Sequence, residues 1–258
     1  MSADAAWGGA GPQATSGLWQ IVGIVGPVIF GGLLLFFVLR AIVRGGRYRA
    51  VATLTDDDRS AVRQAVADAE RKTVGEILPV VVERSDPHPG ADWLAALCLL
   101  LIGSSLLAPW LPWNRPVFLL LSQLALGGVG FGLARLLPDF KRLFILEKRA
   151  TAVAEEQAFQ EFYAHRLHKT DAATGVLVFV SLLEHRVVLL ADEGIDAKVD
   201  AKFWADTDDA ILDGILRGSL RDGLVDGIAR AGDCLSQYFP WKEGDRNEIP
   251  DRVIVRRE

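Results

Sequence analysis

Apolar and polar positions fall into blocks of two lengths along this chain. Three long apolar blocks, residues 17–39, 91–107 and 117–137, carry no charge, one Asp and one Arg respectively. A helix needs about 20 such residues to cross a bilayer, so each block predicts a span. The short blocks, residues 76–83, 176–183 and 187–191, are rich in Val and Leu and read as buried strands. The three polar residues Glu184-His185-Arg186 between the last two are of hairpin length, which predicts adjacent antiparallel strands. Pro79 inside the first strand points to an edge position or a bulge.

Helical spacing appears elsewhere. Thr55-Asp56-Asp57-Asp58 reads as an N-cap with an acidic first turn, opening a helix whose face carries Val62, Ala65, Val66 and Ala69 and which Gly75 ends. Residues 142–169 form a long helix with Ala150, Val153, Ala154, Ala158 and Phe162 on its buried stripe. Residues 203–217 and 220–239 give two more, broken at Gly218. The second places Leu220, Leu224, Ile228, Ala231 and Leu235 on one face. The tail from Trp241 has few apolar residues and is expected to run over the surface. Residues 1–16 are small and polar and are expected to be a disordered lead.

Within the spans, Pro27 lies among Gly23, Gly26, Gly31 and Gly32, a kink or a close-packing face. Gly128-x-x-x-Gly132 offers another such face in the third span. Ser104, Ser105, Ser122 and Gln123 lie at matching depth, where bonds between helices are worth on the order of 1 kcal/mol each. The alternative is that they bond their own helix backbone. The first span lacks a positive n-region and is longer than the roughly 7–15 apolar residues of a signal peptide, so it reads as a permanent anchor.

Composition and charge narrow the function classes. Mean hydropathy is +0.24 with 24% charged residues, a mixture of membrane spans and an ordinary polar domain. The net charge of −5 leaves no basic footprint for nucleic acid. Arg40, Arg44, Arg47 and Arg49 follow the first span, and Lys141, Arg142, Lys148 and Arg149 follow the third, against Arg115 in the turn between the second and third. The positive-inside rule therefore predicts three spans in the cell inner membrane, with the N-terminus outside and both soluble segments in the cytoplasm. Cys98 sits in a span and Cys234 in a soluble helix, so no disulfide is expected between them.

Several motifs, taken in order, resemble the TPM domain. They are Thr73-Val-Gly-Glu76 before a strand, Val176–Ser181, Glu184-His185-Arg186, Ala191-Asp192-Glu193-Gly194-Ile195, Phe239-Pro240 and Asp245-Arg-Asn-Glu-Ile-Pro-Asp251. The resemblance covers residues 55–84 and 147–251. It is strongest toward bacterial membrane-bound members in which two transmembrane helices interrupt the domain. It implies a small three-layer-like α/β domain in two parts, 55–90 and 138–251, split by a transmembrane helical hairpin at 91–137. An anchor helix at 17–39 precedes it, and a tail at 252–258 follows. The family includes a thylakoid-lumen phosphatase-like protein, a photosystem-repair protein and a receptor auxiliary subunit. The function it implies is an auxiliary, assembly or maintenance factor for a membrane protein complex. The alternative is a metal-dependent phosphatase. Partner, substrate and oligomeric state are not encoded in any motif.

No nucleophile elbow, P-loop, dinucleotide fingerprint or paired-Cys zinc motif occurs. The candidate chemistry is acidic. Asp192 and Glu193 end one buried strand and Glu76 opens another, so converging carboxylates there suit Ca²⁺ or Mg²⁺. They also suit a water activated toward a phosphoryl group. The resemblance makes Asp192 the candidate catalytic position, with Asp192, Glu193 and Glu76 the candidate metal set. The competing reading makes Asp192 a helix cap and Glu193 a solvated side chain. Asp245, Asn247 and Asp251 in the tail are candidates to close over the same site, the alternative being a plain polar loop. Glu161, His165 and His168 share one helical face at zinc-ligand spacing but lack a fourth ligand, which favours a solvated face.

Overall fold

The computed structural model describes residues 25–26, 28–36, 38–40, 53–108, 116–217 and 219–256. The lead at 1–16, the start of the first predicted span, most of the Pro-rich turn, Pro27 and Gly218 lie outside them. Two compact units are present. One is formed by residues 1–43 and 89–144, the other by residues 44–88 and 145–258.

The second unit is a mixed α/β fold. Its elements are α2 (Asp56–Glu70), β1 (Glu76–Val82), α6 (Glu147–Ala164), β2 (Gly175–Ser181), β3 (Arg186–Ala191), α7 (Glu193–Asp196), α8 (Ala201–Leu216), α9 (Leu220–Tyr238) and β4 (Ile254–Arg256). The strands form one sheet in the order β3-β2-β1-β4, antiparallel between β2 and β3 and parallel elsewhere. Every residue of β1 and β2 is buried. Covering both faces of the sheet requires this, and it explains why these strands read as unbroken apolar runs. Val62, Val66, Leu224, Ile228 and Leu235 cover one face, against Ile77, Val81, Val176, Val178 and Val180. Ala154, Ala158 and Phe162 cover the other, against Leu78, Val80, Leu177 and Phe179.

The β2–β3 hairpin, the α8 and α9 helices and the capping box of α2 follow the sequence pattern. Thr55 Oγ1 accepts from the Asp58 amide while Asp58 accepts from the Thr55 amide. Three expectations are corrected. The helix expected at 142–169 begins at Glu147 and ends at Ala164, because a turn at 143–146 and a left-handed Arg166 (φ 61°) bracket it. Helix α2 ends at Glu70 with Arg71 as its C-cap, not at Gly75, whose hydrogen side instead lies against Leu235 and Thr174. The tail contributes β4, and its Val253, Ile254 and Val255 pack onto the two cores.

Pro79 is tolerated for a local reason. Even-numbered β1 amides face β2, as Glu76 N–H bonds Thr174, so odd-numbered ones face the β4 side. Short β4 pairs only with Val80–Val82, and the Glu70 carboxylate takes the Ile77 amide. The position of the missing Pro79 donor therefore falls beyond the end of β4.

The first unit contains α1 (Val28–Arg40), α3 (Pro89–Leu107), α4 (Pro116–Leu136) and α5 (Pro138–Arg142). Helices α3 and α4 are both long and apolar enough to cross a membrane. They pack on each other through glycines, one register away from the predicted pair. A Cβ on Gly130 would stand 2.8 Å from the Ala95 carbonyl oxygen, whereas Gly128 and Gly132 face open space. The hydroxyls of Ser104 and Ser122 bond Leu101 and Leu119 of their own helices, so they provide no bond between helices. Gly26 stands close to Leu106, and Phe30 and Leu34 pack on Ala95, Leu99, Ala134 and Phe140. Lys141 Nζ lies 3.0 Å from Asp92 Oδ1, a largely buried pair without hydrogen-bond alignment.

Candidate functional site

Strand order brings the three predicted carboxylates to one end of the sheet. Asp192 N–H bonds the Gly175 carbonyl and Glu76 N–H bonds the Thr174 carbonyl, at the start of β2 in both cases. Asp192 follows β3 and Glu76 opens β1, so their backbones are two strands apart, roughly 10 Å. Asp192 caps α7, its Oδ1 accepting from Glu193 N–H at 2.9 Å, while its Oδ2 is buried without a partner. Glu193 is exposed. A Cβ on Gly194 would come within 2.5 Å of the Ala173 carbonyl oxygen, so the backbone of this turn is fixed by contact.

Glu76 is committed elsewhere. Its Oε1 accepts from Glu248 N–H at 2.9 Å and its Oε2 from Ile249 N–H at 3.1 Å. Burial raises its pKa, and these two amides only partly offset that. The tail thus closes over Glu76 rather than over Asp192. Beside it, Glu70 gives Oε1 to the Ile77 amide and leaves Oε2 buried. Burial pushes the Glu70 pKa up to about 9, with neighbouring Glu76 and Asp251 adding to the rise. Among the described residues no three His, Cys, Asp or Glu side chains group as metal ligands do.

The densest polar network lies at the opposite end of the sheet, where sequence reasoning saw an ordinary polar turn. The Glu184 side chain is fully buried and that of His88 is 3% exposed. His88 Nε2 stands 2.6 Å from Glu184 Oε1, so that nitrogen carries the proton donated to the carboxylate. Ser181 Oγ–H donates to Oε2, and Ser85 N–H reaches both oxygens at 3.2 Å. Ser85 Oγ bonds Ser181 Oγ at 3.0 Å, and Asp86 joins Arg149 at 3.0 Å. Burial pushes the Glu184 pKa up, but the bonds from His88, Ser181 and Ser85 outweigh it and hold the group below the usual carboxylate range. His88 and His185 both adopt left-handed backbone, φ 48° and 50°. These partners are 96 to 99 residues apart in sequence. The only local signal was the Ser181-x-x-Glu184 spacing. With carboxylate and imidazole both closed to solvent, the network acts as a clamp between the loop after β1 and the β2–β3 turn.

The expected solvated face of Glu161, His165 and His168 is also corrected. Glu161 is 2% exposed and bonds Arg256 Nη1 at 2.8 Å and His165 Nε2 at 3.1 Å. His168 lies beyond α6 in the 3₁₀ turn Leu167–Lys169, against the Tyr163 ring at 4.8 Å. The burial of Glu161 follows from β4, whose Arg256 supplies the counter-charge.

No protein-family model and no curated protein matches the chain. Among solved structures it is similar to the BA42 protein of the psychrophilic bacterium Bizionia argentinensis, determined by NMR. Identity is 23% over 78% of this chain and 94% of that one, with a TM-score of 0.50. At this identity the likeness concerns the fold alone.

Proposed function

We propose that the chain is a membrane-held TPM-like protein that serves as an auxiliary, assembly or maintenance factor of a membrane protein complex. The observation that carries this reading is the surface of the α3–α4 pair. Leu97, Leu101, Ile102, Leu120, Leu121 and Leu124 are all at least half exposed. A patch of that kind needs lipid or a protein partner to cover it. These helices lie in sequence between β1 and α6 of the α/β unit, so membrane insertion would tether that unit at both ends of the pair. In this reading α1 belongs to an anchor at 17–39, making three spans in the inner membrane, and the α/β unit is cytoplasmic.

The buried state of the Glu184–His88 network also favours a binding module over an enzyme, since its acid and base face each other and not a cleft. The metal-dependent phosphatase alternative would rest on Asp192, because Glu76 has spent both oxygens on amides and Glu193 is exposed. The test is capture of the tagged full chain from its own membranes after mild crosslinking. A reproducible membrane protein partner is expected, and its absence would sink the auxiliary-factor reading. Mg²⁺- or Ca²⁺-dependent phosphatase turnover that Asp192→Asn abolishes would put the alternative in its place.

A further inference from the structure

A cavity of about 340 Å³ opens between the turn after α6 and the tail that leads into β4. Arg166 and Lys169 come to it from the turn, and Arg252 comes from the tail, two residues before β4. The fold thus gathers on one concavity cations that stand more than 80 residues apart in sequence. All three are exposed, so their side chains are open to a ligand arriving from solvent. Among the described residues none of the three makes an ion pair or a side-chain hydrogen bond. Ile249 and Pro250 add an apolar share to the lining.

The chain's own acids do not neutralise them. Glu248 is the one acid on the cavity, and its carboxylate accepts from the Asp171 amide at 3.1 and 3.3 Å. Glu161 is engaged by Arg256 and His165, and Asp251 accepts from the Asn247 amide. Asp171 is exposed and does not line the cavity. The Lys, Arg and Glu of the lining therefore leave two net positive charges, in a chain whose net charge is −5. Like charges in one concavity repel, and its low-dielectric walls focus their field on the space between them. A bound anion relieves that repulsion. The sign is particular to this place, since the cavity at the end of β3 is lined by Asp192, Glu193 and Asp196 without Lys or Arg.

We infer that this cavity binds a small organic phosphate monoester, its oxygens held by Arg166, Lys169 and Arg252 and its apolar body set against Ile249 and Pro250. Two of the three cations are arginines, whose planar forks fit phosphate oxygens two at a time. A phosphate monoester carries about −1.5 to −2 near pH 7, which matches the two net positive charges, whereas a carboxylate brings only one. The volume falls at the small end of the roughly 300–1,000 Å³ usual for ligand sites. Two sources share this chemistry, a soluble phosphate ester and the headgroup of phosphatidic acid. The inference depends neither on the proposed membrane role nor on the phosphatase alternative, whose Asp192 is not on this cavity.

The test is calorimetric titration of the full chain in nonionic detergent, in a phosphate-free buffer at constant ionic strength. The probes are n-butyl phosphate, butyrate and n-butylammonium. Saturable n-butyl phosphate binding is expected, about tenfold or more weaker for butyrate and absent for n-butylammonium. Arg166→Gln and Arg252→Gln should each weaken n-butyl phosphate about tenfold or more, the scale of a hydrogen bond between charged groups. Lys202→Gln and Lys242→Gln remove the same charge from exposed positions off the cavity and should leave the affinity unchanged. All four residues are exposed, so unchanged melting temperatures are expected throughout. Phosphatidylcholine nanodiscs with and without phosphatidic acid separate the two sources. Loss of n-butyl phosphate binding only where phosphatidic acid is present would assign the site to a lipid headgroup, and its retention in both to a soluble ester. Undetectable n-butyl phosphate binding, equal affinity for butyrate, or equal losses in all four variants would overturn the inference. A failed partner capture would leave it standing.

Discussion

Two glutamates in the α/β unit have been pushed in opposite directions, and each sets its own pH window. Glu184 is held ionised by His88, Ser181 and Ser85, so its folded pKa is depressed. Its contribution is therefore present above the unfolded value and lost as pH falls through the folded one. Glu184→Ala would remove the acceptor shared by His88 Nε2–H, the Ser181 hydroxyl and the Ser85 amide, at a cost on the order of 3 kcal/mol. Glu184→Gln should cost less and should flatten the acid limb of the thermal stability profile below about pH 4.5. Glu70 behaves in the reverse sense. With its folded pKa raised to about 9 from 4.5, the fold binds a proton that the unfolded chain has released, so stability falls as pH rises between those values. Glu70→Gln keeps the acceptor for Ile77 and removes the ionisation. It should raise stability at pH 8 by on the order of 1 kcal/mol, discounted for partial exposure, and have little effect at pH 4. Melting curves of the two variants across pH 4–9 check both statements. A Glu70→Gln advantage that did not grow with pH would contradict the assignment.

The elements that sequence made legible are those whose pattern is set by both their faces or by one uniform face. Strands β1 and β2 are buried on both sides, so continuous Val and Leu runs had no other reading, and α9 carries one clean apolar stripe. Strand β4 was not legible. Three residues, Ile254–Arg256, carry no period, and they become a strand only because half of β1 is open to them. Missing β4 also hid the site around it. Glu161 reads as solvated until Arg256 is placed beside it, and Glu76 reads as a free ligand until the Glu248 and Ile249 amides fold over it. The α3–α4 contact shows the same limit within the other unit. Both GxxxG-like spacings and serines were visible, but the phase of contact depends on where Ala95 and Leu99 meet α4, and that selects Gly130. Gly130→Leu should therefore disrupt the pair, at about 2 kcal/mol or more for overpacking against backbone. Gly128→Leu, facing open space, should be near neutral. Thermal unfolding of the two variants in the same detergent separates them, and equal losses would mean the pair packs in another phase.

At the scale of the whole molecule, the proposed function turns on which side of a bilayer the α/β unit would occupy. Helices α3 and α4 are long and apolar enough to cross. Neither length nor burial gives a direction, so charge must supply it. Lys141 and Arg142 end α5, and Lys148 and Arg149 open α6, whereas Arg115 is the one Lys or Arg in the sequence between α3 and α4. Among these cations Lys141 pairs with Asp92 and Arg149 with Asp86. Pairing does not cancel their role, since the bias counts Lys and Arg near span ends and acidic residues contribute little. The expected outcome is that a cysteine at Arg115 is labelled by an impermeant maleimide from outside intact cells, and that one at exposed Glu193 is labelled only after the membrane is opened. The native thiols Cys98 and Cys234 are half-buried and buried, so a background variant lacking both gives a clean readout. The reverse labelling would place the α/β unit outside. A partner of the kind proposed would then be sought among extracytoplasmic segments of membrane complexes.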